Sequence, residues 1–342
     1  MKKAITYIAI CGLGIFLLSG YKVNGTPKSS VSKSEKSKGI NSNGAMFHAN
    51  LAHTGVYKTK GVPKFHRIKW KFKTDAPITS SPVIFNQTVY FGSWDHCLYA
   101  VNAKTGELRW RFKTGKWVFY SPAIADGIVY FEGGDHYLYA LDAKRGKLIW
   151  RFKMKKPTGS SPTVVNGIVY FGSEDRHLYA LDAKTGALIW RFKTKDAITS
   201  SPAVAYGLVY FGGWDYYLYA VNAHTGDLLW RFETKDIIES APAVAEGIVY
   251  FGSDDCYLYA LDAKTGKLKW QFKTGGRVGS SPAIADGIVY FGSGDHYLYA
   301  LDVKTGKLLW RFKAEHAVGS SPALANGTIY FGSTDCHLYA LE

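Results

Sequence analysis

Cysteine is scarce in this chain: its 342 residues include four, at positions 11, 97, 256 and 336. None of them is adjacent to another or forms a CxxC pair. This scarcity excludes a disulfide framework as the source of stability. Helical periodicity is missing too, because no segment of useful length repeats apolar residues at every third and fourth position. A largely helical fold is therefore excluded.

Motifs that carry chemistry are also missing. The sequence contains no nucleophile motif, phosphate-binding loop or spaced pair of carboxylates that stands above chance. His96, His136 and His296 share one repeat position, but they lie in separate repeats and lack a metal-ligand spacing. We therefore expect no enzyme activity, no metal and no cofactor.

Negative charge is nearly absent from the first 62 residues, which hold nine lysines and one glutamate. They supply about half of the net charge of +15, so the remaining residues are only moderately basic. We interpret the later Lys and Arg side chains as a solvated surface with a weak attraction for acidic partners. Nucleic acid is not an expected partner, since no nucleic-acid module is visible.

The N-terminus has the pattern of a targeting segment. Lys2 and Lys3 precede the apolar run of residues 4–21, which predicts, within residues 1–25, either a cleaved signal peptide or an uncleaved membrane anchor. Both alternatives export the protein to the periplasm or the cell surface, and the second tethers it to the membrane through residues 4–21. Residues 26–45, rich in Lys and Ser, predict a disordered linker, and residues 46–62 form a lead-in segment.

From residue 63 to residue 342 the chain repeats itself with a period of 40 residues. Seven tryptophans, seven prolines and seven aspartates each follow this step without drift. The aspartates are expected to cap a hairpin turn; they are Asp95, Asp135, Asp175, Asp215, Asp255, Asp295 and Asp335. Such a period indicates a repeat architecture of seven units.

Each unit predicts four short β-strands. In the sixth unit the runs SPAIA, IVYFG, YLYALD and KLLWRFK are separated by the turn signals DG, SGD and VKTG. Asp302 can cap the last turn and Gly306 can adopt a positive φ there. Four-stranded antiparallel sheets repeated around an axis form a β-propeller. We therefore predict an all-β, seven-bladed propeller, closed by an N-terminal outer strand at residues 68–73 that completes the last blade.

The run LDAKTGKLKW at residues 261–270, after YFGSDDCYLYA, resembles the repeat of the pyrroloquinoline-quinone (PQQ) type propellers. Their tryptophan-docking motif, A-x-D-x-x-T-G-x-x-x-W, matches here at Ala260, Asp262, Thr265, Gly266 and Trp270. The resemblance covers residues 63–342. It implies that the periodic tryptophans are structural docking residues: Trp70, Trp110, Trp150, Trp190, Trp230, Trp270 and Trp310.

This resemblance leaves the function open, because the family holds both enzymes and non-enzymes. Its quinone-dependent dehydrogenases would need PQQ, a Ca²⁺ site and a catalytic carboxylate, and often use a vicinal disulfide. This chain has no vicinal Cys pair, and its constant repeat length leaves little room for inserted active-site loops. Its non-enzymatic propellers include a periplasmic lipoprotein that assists outer-membrane β-barrel assembly. The repeat cannot choose between these classes.

Departures from the repeat indicate where a function could lie. Three of the ten tryptophans leave the 40-residue step, and the segment KWVFY at residues 116–120 replaces small residues of the sister copies. Glu132 replaces a glycine present in every other unit. All these positions map to the propeller face opposite the AKTG turns. The candidate partner-binding residues are Trp94, Trp117, Phe119, Tyr120, Glu132 and Trp214.

Two interpretations of this cluster stay open at the level of sequence. A carboxylate beside aromatic rings suits a peptide side chain, a sugar or a basic group of a partner. Alternatively, Trp117 and Phe119 plug the channel or pack on each other. Glu239 and Arg277 break the pattern on the same face and are expected to form a solvated pair. We predict a non-catalytic scaffold that binds protein or peptide partners in the cell envelope; a PQQ-dependent dehydrogenase and a carbohydrate-binding surface module are the alternatives.

Overall fold

The computed structural model describes residues 44–45, 50, 70–325, 327–335 and 337–342. They belong to one compact unit, residues 42–342. The predicted targeting segment and most of the predicted linker and lead-in lie outside the described residues. No membrane-crossing helix occurs in the described part of the chain.

The described strands form seven antiparallel sheets in chain order, which confirms the seven-bladed, all-β propeller. Blade one consists of β2 to β5, at Val83–Phe85, Thr88–Gly92, Cys97–Asn102 and Leu108–Lys113. Blade two consists of β6 to β9, at Ala123–Ala125, Ile128–Gly133, Tyr137–Asp142 and Leu148–Lys153. Blade three consists of β10 to β13, at Thr163–Val165, Ile168–Ser173, His177–Asp182 and Leu188–Lys193. Blade four consists of β14 to β17, at Ala203–Ala205, Leu208–Gly212, Tyr217–Asn222 and Leu228–Glu233.

The remaining blades follow the same plan. Blade five consists of β18 to β21, at Ala243–Ala245, Ile248–Ser253, Tyr257–Asp262 and Leu268–Lys273. Blade six consists of β22 to β25, at Ala283–Ala285, Ile288–Gly292, Tyr297–Asp302 and Leu308–Lys313. Blade seven has three strands, β26 to β28, at Ala323–Ala325, Thr328–Gly332 and Leu338–Leu341. The first strands of consecutive blades contact one another from blade one to blade seven, so they surround the axis.

Both hairpin turns on the AKTG face are set by local chemistry. Asp126 and Gly127 have φ angles of 50° and 75°, the signature of the turn that matches strand twist in a two-residue hairpin. In the AKTG turn, Asp302 Oδ1 accepts the backbone N–H of Thr305 at 2.8 Å, and Gly306 has a φ of 67°. The predicted cap and the predicted left-handed glycine are both confirmed.

The repeat tryptophans hold neighbouring blades together. In blade two, Trp150 Nε1 donates to the Ala183 carbonyl of blade three at 3.0 Å, and the Tyr130 hydroxyl donates to the same carbonyl at 2.9 Å. A Cβ on Gly186 would lie 2.6 Å from the Trp150 ring, so the glycine leaves the space that the indole fills. The buried core lies between sheets, where residues such as Leu138 of blade two pack with Phe171 of blade three.

The invariant aspartates cap turns, as predicted. Asp255 Oδ1 accepts the Tyr257 N–H at 3.1 Å, while its Oδ2 accepts the Tyr259 hydroxyl at 2.7 Å and the Lys235 N–H at 3.0 Å. One carboxylate thus fixes the hairpin and the preceding outer strand together. The three histidines that share a repeat position follow these aspartates, with φ angles of 71° to 76°. The turn therefore determines the backbone conformation of these histidines.

A chain of serine hydrogen bonds links the blades beside the channel. The backbone N–H of Ser121 donates to Ser161 Oγ at 3.1 Å, and that of Ser161 donates to Ser201 Oγ at 3.0 Å. The series continues from Ala241 N–H to Ser281 Oγ at 3.0 Å. Because position 241 carries alanine, it offers no Oγ to Ser201.

The ends of the unit differ from the plan predicted for them. Trp70 Nε1 donates to the Ala103 carbonyl at 3.1 Å, so residue 70 docks on blade one as the other repeat tryptophans dock on their neighbours. Residues 70–73 form no strand, however, so the expected pairing with blade seven is not formed by these residues. Residues 68 and 69 lie outside the described residues. Leu338 at this edge is 78% exposed. Gly44–Ala45, the last two residues of the predicted linker, form β1 and pair with β6 instead.

The docking tryptophans differ in burial, which predicts unequal effects of the same substitution. Trp190 is 9% exposed, whereas Trp310 is 37% exposed. We expect Trp190→Ala to lower the free energy of unfolding by about 3–5 kcal/mol, the usual loss for a buried aromatic ring. Trp310→Ala should cost clearly less in the same urea titration. Equal losses would contradict the role given to this interface.

The interruption of the serine series predicts a stabilising substitution. Ala241→Ser should supply the missing Oγ acceptor for the Ser201 N–H and raise the free energy of unfolding by about 0.5–1.5 kcal/mol. Ser161→Ala removes an existing link of the same kind and should have the opposite effect. Thermal and urea unfolding of both variants measure this, and a destabilised Ala241→Ser protein would refute it.

Candidate functional site

The six candidate residues lie on the face formed by two kinds of connection, which we call the variable face. One is the turn between the second and third strands of a blade, and the other is the segment that leads into the next blade. The two are hydrogen-bonded together, since the Trp94 N–H donates to the Pro77 carbonyl at 3.0 Å. The AKTG and Asp-Gly turns occupy the opposite face, so the predicted separation of faces follows from the strand order.

Five of the six candidates line a single cavity of about 250 Å³. Trp214 is not among its lining residues; it lies three repeats beyond Trp94. The cavity is bounded by blades one, two and three. Its lining consists of Trp94, Trp117, Phe119, Tyr120, Glu132, Pro157, Thr158 and Glu174.

Two of the off-step tryptophans have the same local geometry. Trp94 Nε1 donates to Thr79 Oγ1 at 2.9 Å, and Trp214 Nε1 donates to Thr199 Oγ1 at 2.9 Å. Their exposed fractions are 44% and 41%. Only Trp94 borders the cavity, so Trp214 offers a matched control for it.

Trp117 is held by packing against a neighbouring turn. Gly134 donates its N–H to the Trp117 carbonyl at 2.8 Å, and a Cβ on Gly134 would lie 2.6 Å from the indole. The ring is nevertheless 45% exposed and forms one wall of the cavity. Packing on the turn therefore sets the position of an exposed ring.

Phe119 and Tyr120 separate the cavity from the channel. They line the cavity and also a second space of about 210 Å³ at the channel mouth, bordered by serines such as Ser121 and Ser161. Their ring centroids are 5.0 Å apart, and the Phe119 centroid is 5.9 Å from that of Trp94. The two side chains form a wall between these spaces.

Glu132 and Thr158 both differ from the residues at their repeat positions, and the two differences occur at the same blade interface. In blade three a Cβ on Gly172 would overlap Ile198 of the next segment, which explains the glycine there. At the corresponding interface of blade two, Glu132 replaces the glycine and Thr158 replaces the isoleucine, and both border the cavity. The larger side chain is accommodated because its neighbour is shorter and polar.

The local hydrogen bonding changes with this exchange. In blade three Ser160 Oγ accepts the Gly172 N–H at 2.8 Å. Blade two carries Tyr120 at the serine position, so its hydroxyl acceptor is replaced by an aromatic ring. Tyr120 and Glu132 both line the cavity.

Glu132 is 3% exposed and its Oε2 has no hydrogen-bond partner in the described protein. Loss of water raises the pKa of this carboxyl well above the ordinary value of 4.5. The Thr158 backbone N–H opposes that rise, whereas the negative charges of Glu174 and Asp135 add to it. Burial likewise raises the pKa of Tyr120, and the charge of Glu132 raises it further.

Sequence reasoning missed Thr158 and Glu174. Thr158 is the one position among its sister copies where Val or Ile gives way to a hydroxyl-bearing residue. Glu174 occupies the same repeat position as Trp94 and Trp214. Comparing the copies across each blade interface, rather than position by position, could have found both.

The predicted pair of Glu239 and Arg277 is wrong, because Arg277 has another partner. Its Nη1 lies 3.7 Å from Asp254 Oδ2. Glu239 lines the channel mouth. Burial raises the pKa of Asp254, the charge of Glu239 raises it further, and Arg277 lowers it.

The opposite face has one comparable departure. Tyr206 occupies the first position of an Asp-Gly-type turn and lines a space of about 440 Å³ between blades four and five. Its hydroxyl accepts the Gly247 N–H at 3.0 Å, so its polar group already has a partner. This residue therefore bridges two blades.

Comparisons with known proteins agree with this architecture. A family model described as outer membrane protein assembly factor BamB matches residues 66–151, 134–240 and 215–342. Among solved structures, BamB from Moraxella catarrhalis has a TM-score of 0.72 and 20% identity, covering 80% of this chain and 88% of its own. The computationally designed Ika8 protein has a TM-score of 0.70 and 18% identity, covering 77% and 82%. No protein of curated function matches the sequence.

The buried carboxyl of Glu132 predicts a pH-dependent penalty. Below the ordinary glutamate pKa of 4.5 it is protonated in both the folded and the unfolded protein. As the pH rises from there through the raised pKa of the folded state, the unfolded state loses its proton first and stability falls. Glu132→Gln should remove this loss, so the stability advantage of the variant over wild type should grow with pH. Urea unfolding from about pH 4 to about pH 8 measures it; parallel pH profiles would contradict the assignment.

Proposed function

The chain belongs to the family of the outer membrane protein assembly factor BamB, and from this membership we propose that it is a non-catalytic scaffold that binds protein partners in the cell envelope. The family description supports an envelope assembly role. The predicted export segment at residues 1–25 agrees with such a location. The partners would bind the variable face.

The observation that carries this proposal is the distribution of departures from the repeat. The three tryptophans that leave the 40-residue step, Trp94, Trp117 and Trp214, all lie on the variable face, where each is between 41% and 45% exposed. Tryptophan is enriched at the centres of protein interfaces because it buries a large area and can also donate a hydrogen bond. Exposed indoles gathered on one face therefore favour protein binding.

Photo-crosslinking in the cell envelope tests the proposal. A photoreactive residue placed at position 117 or position 214 of the full chain should capture a shared set of envelope proteins. The same group at Lys184, in an AKTG turn on the opposite face, is the matched control and should capture none of them. Capture by the Lys184 position alone, or an equal pattern from both faces, would refute binding through the variable face.

A further inference from the structure

Three buried polar atoms without partners occur in blade two and the segment that follows it, and two of them belong to residues that line the cavity. They are Glu132 Oε2, Asp135 Oδ1 and Thr158 Oγ1, and only one other such atom, on Asp254, occurs in the described residues. Buried polar side chains in folded proteins nearly always have a hydrogen-bond partner. The two exceptions at the cavity, Glu132 Oε2 and Thr158 Oγ1, therefore indicate a bound group that donates hydrogen bonds there.

The charge of the site determines what that group can be. Glu132 and Glu174 line the cavity, and among the described residues no Lys or Arg side chain does. Asp135 contributes a third carboxylate, close enough to Glu132 to raise its pKa. A cation bound beside Glu132 would favour the ionised form of its carboxyl, and ionised carboxylates only accept hydrogen bonds, so the complementary group is a cation that carries N–H donors.

The aromatic lining favours an organic cation. Trp94, Trp117 and Phe119 line the same cavity as the carboxylates, and ring faces attract ammonium and guanidinium groups. The Trp117 ring already does so on the surface, since Lys116 Nζ lies 5.6 Å from its centroid. In the described part of the chain no three His, Cys, Asp or Glu side chains are arranged to hold a metal ion. A metal ion is therefore the poorer fit.

We propose that this cavity binds a lysine or arginine side chain of a polypeptide partner. The aliphatic stem packs against Trp94, Trp117 and Phe119, while the cationic head donates hydrogen bonds to Glu132 Oε2. A volume of about 250 Å³ suits one long side chain rather than a whole ligand. The inference rests on the proposed function, because a protein bound to the variable face would supply the side chain.

Isothermal titration calorimetry on the full chain tests the site with three capped amino acids. The probes are the Nα-acetyl N-methylamides of lysine, arginine and norleucine, the last having a similar stem without charge. Both cationic probes should bind, and norleucine should bind at least about tenfold more weakly, because it cannot donate to the carboxylates. Norleucine binding equal to that of lysine would overturn the proposal.

Variants of the cavity residues test whether the probes bind in the cavity. Glu132→Gln keeps the shape but removes the charge, and should weaken the lysine probe about 10- to 100-fold, the value of a charged hydrogen bond. Trp94→Ala should also weaken it, whereas Trp214→Ala, which alters an indole in the same local geometry outside the cavity, should not. Circular dichroism confirms that each variant folds. Equal effects of the two tryptophan variants, or none from Glu132→Gln, would overturn the site.

The two proposals fail separately. If neither cationic probe binds while positions 117 and 214 still crosslink to envelope proteins, the cation site is refuted and the scaffold function stands. If the probes bind but no crosslinks form on the variable face, the cavity recognises cations and the partner-binding role is refuted.

Discussion

The convergence of two side chains on one carbonyl of the next blade is the interaction on which the propeller depends. In blade three, Trp190 Nε1 and the Tyr170 hydroxyl both donate to the Ala223 carbonyl, at 3.1 Å and 2.8 Å. Hydrogen bonds at a buried interface fix geometry as well as adding stability. This contact recurs from blade to blade on the AKTG side. The connections on the variable face do not take part in it, so their sequences can differ.

Blade two shows how far the sequence of the variable face can differ from the repeat. Replacing a glycine by Glu132 and an aliphatic residue by Thr158 puts a carboxyl where the sister interfaces are packed with methyl groups. An unpaired buried polar group lowers stability. Natural proteins accept such losses mainly where activity or binding depends on the residue, which makes the exchange more informative than an exposed departure such as Trp214.

Much of this structure could be predicted from the sequence because seven copies report on one another. The turns, the capping aspartates and the docking tryptophans recur, so each copy confirms the rest. The cavity was only partly predictable: Glu132 stood out against six glycines, but its neighbour Thr158 is 26 residues away and meets it only through the arrangement of adjacent blades. The end of the ring was predicted least well, since pairing of residues 68–73 depends on contacts between distant parts of the chain.

Because the blades are nearly identical in sequence, one sheet could pack against the wrong neighbouring blade during folding. The interface between blades two and three differs from the others because it contains a carboxyl and a hydroxyl side chain in place of glycine and an aliphatic side chain. If blade two packed against any other blade, the carboxyl of Glu132 would meet a valine or isoleucine side chain, such as Ile198 or Val278, instead of Thr158. Burying an unpaired carboxyl against methyl groups is unfavourable, whether it is charged or neutral. Glu132 and Thr158, which both line the cavity, therefore also favour blade three as the neighbour of blade two.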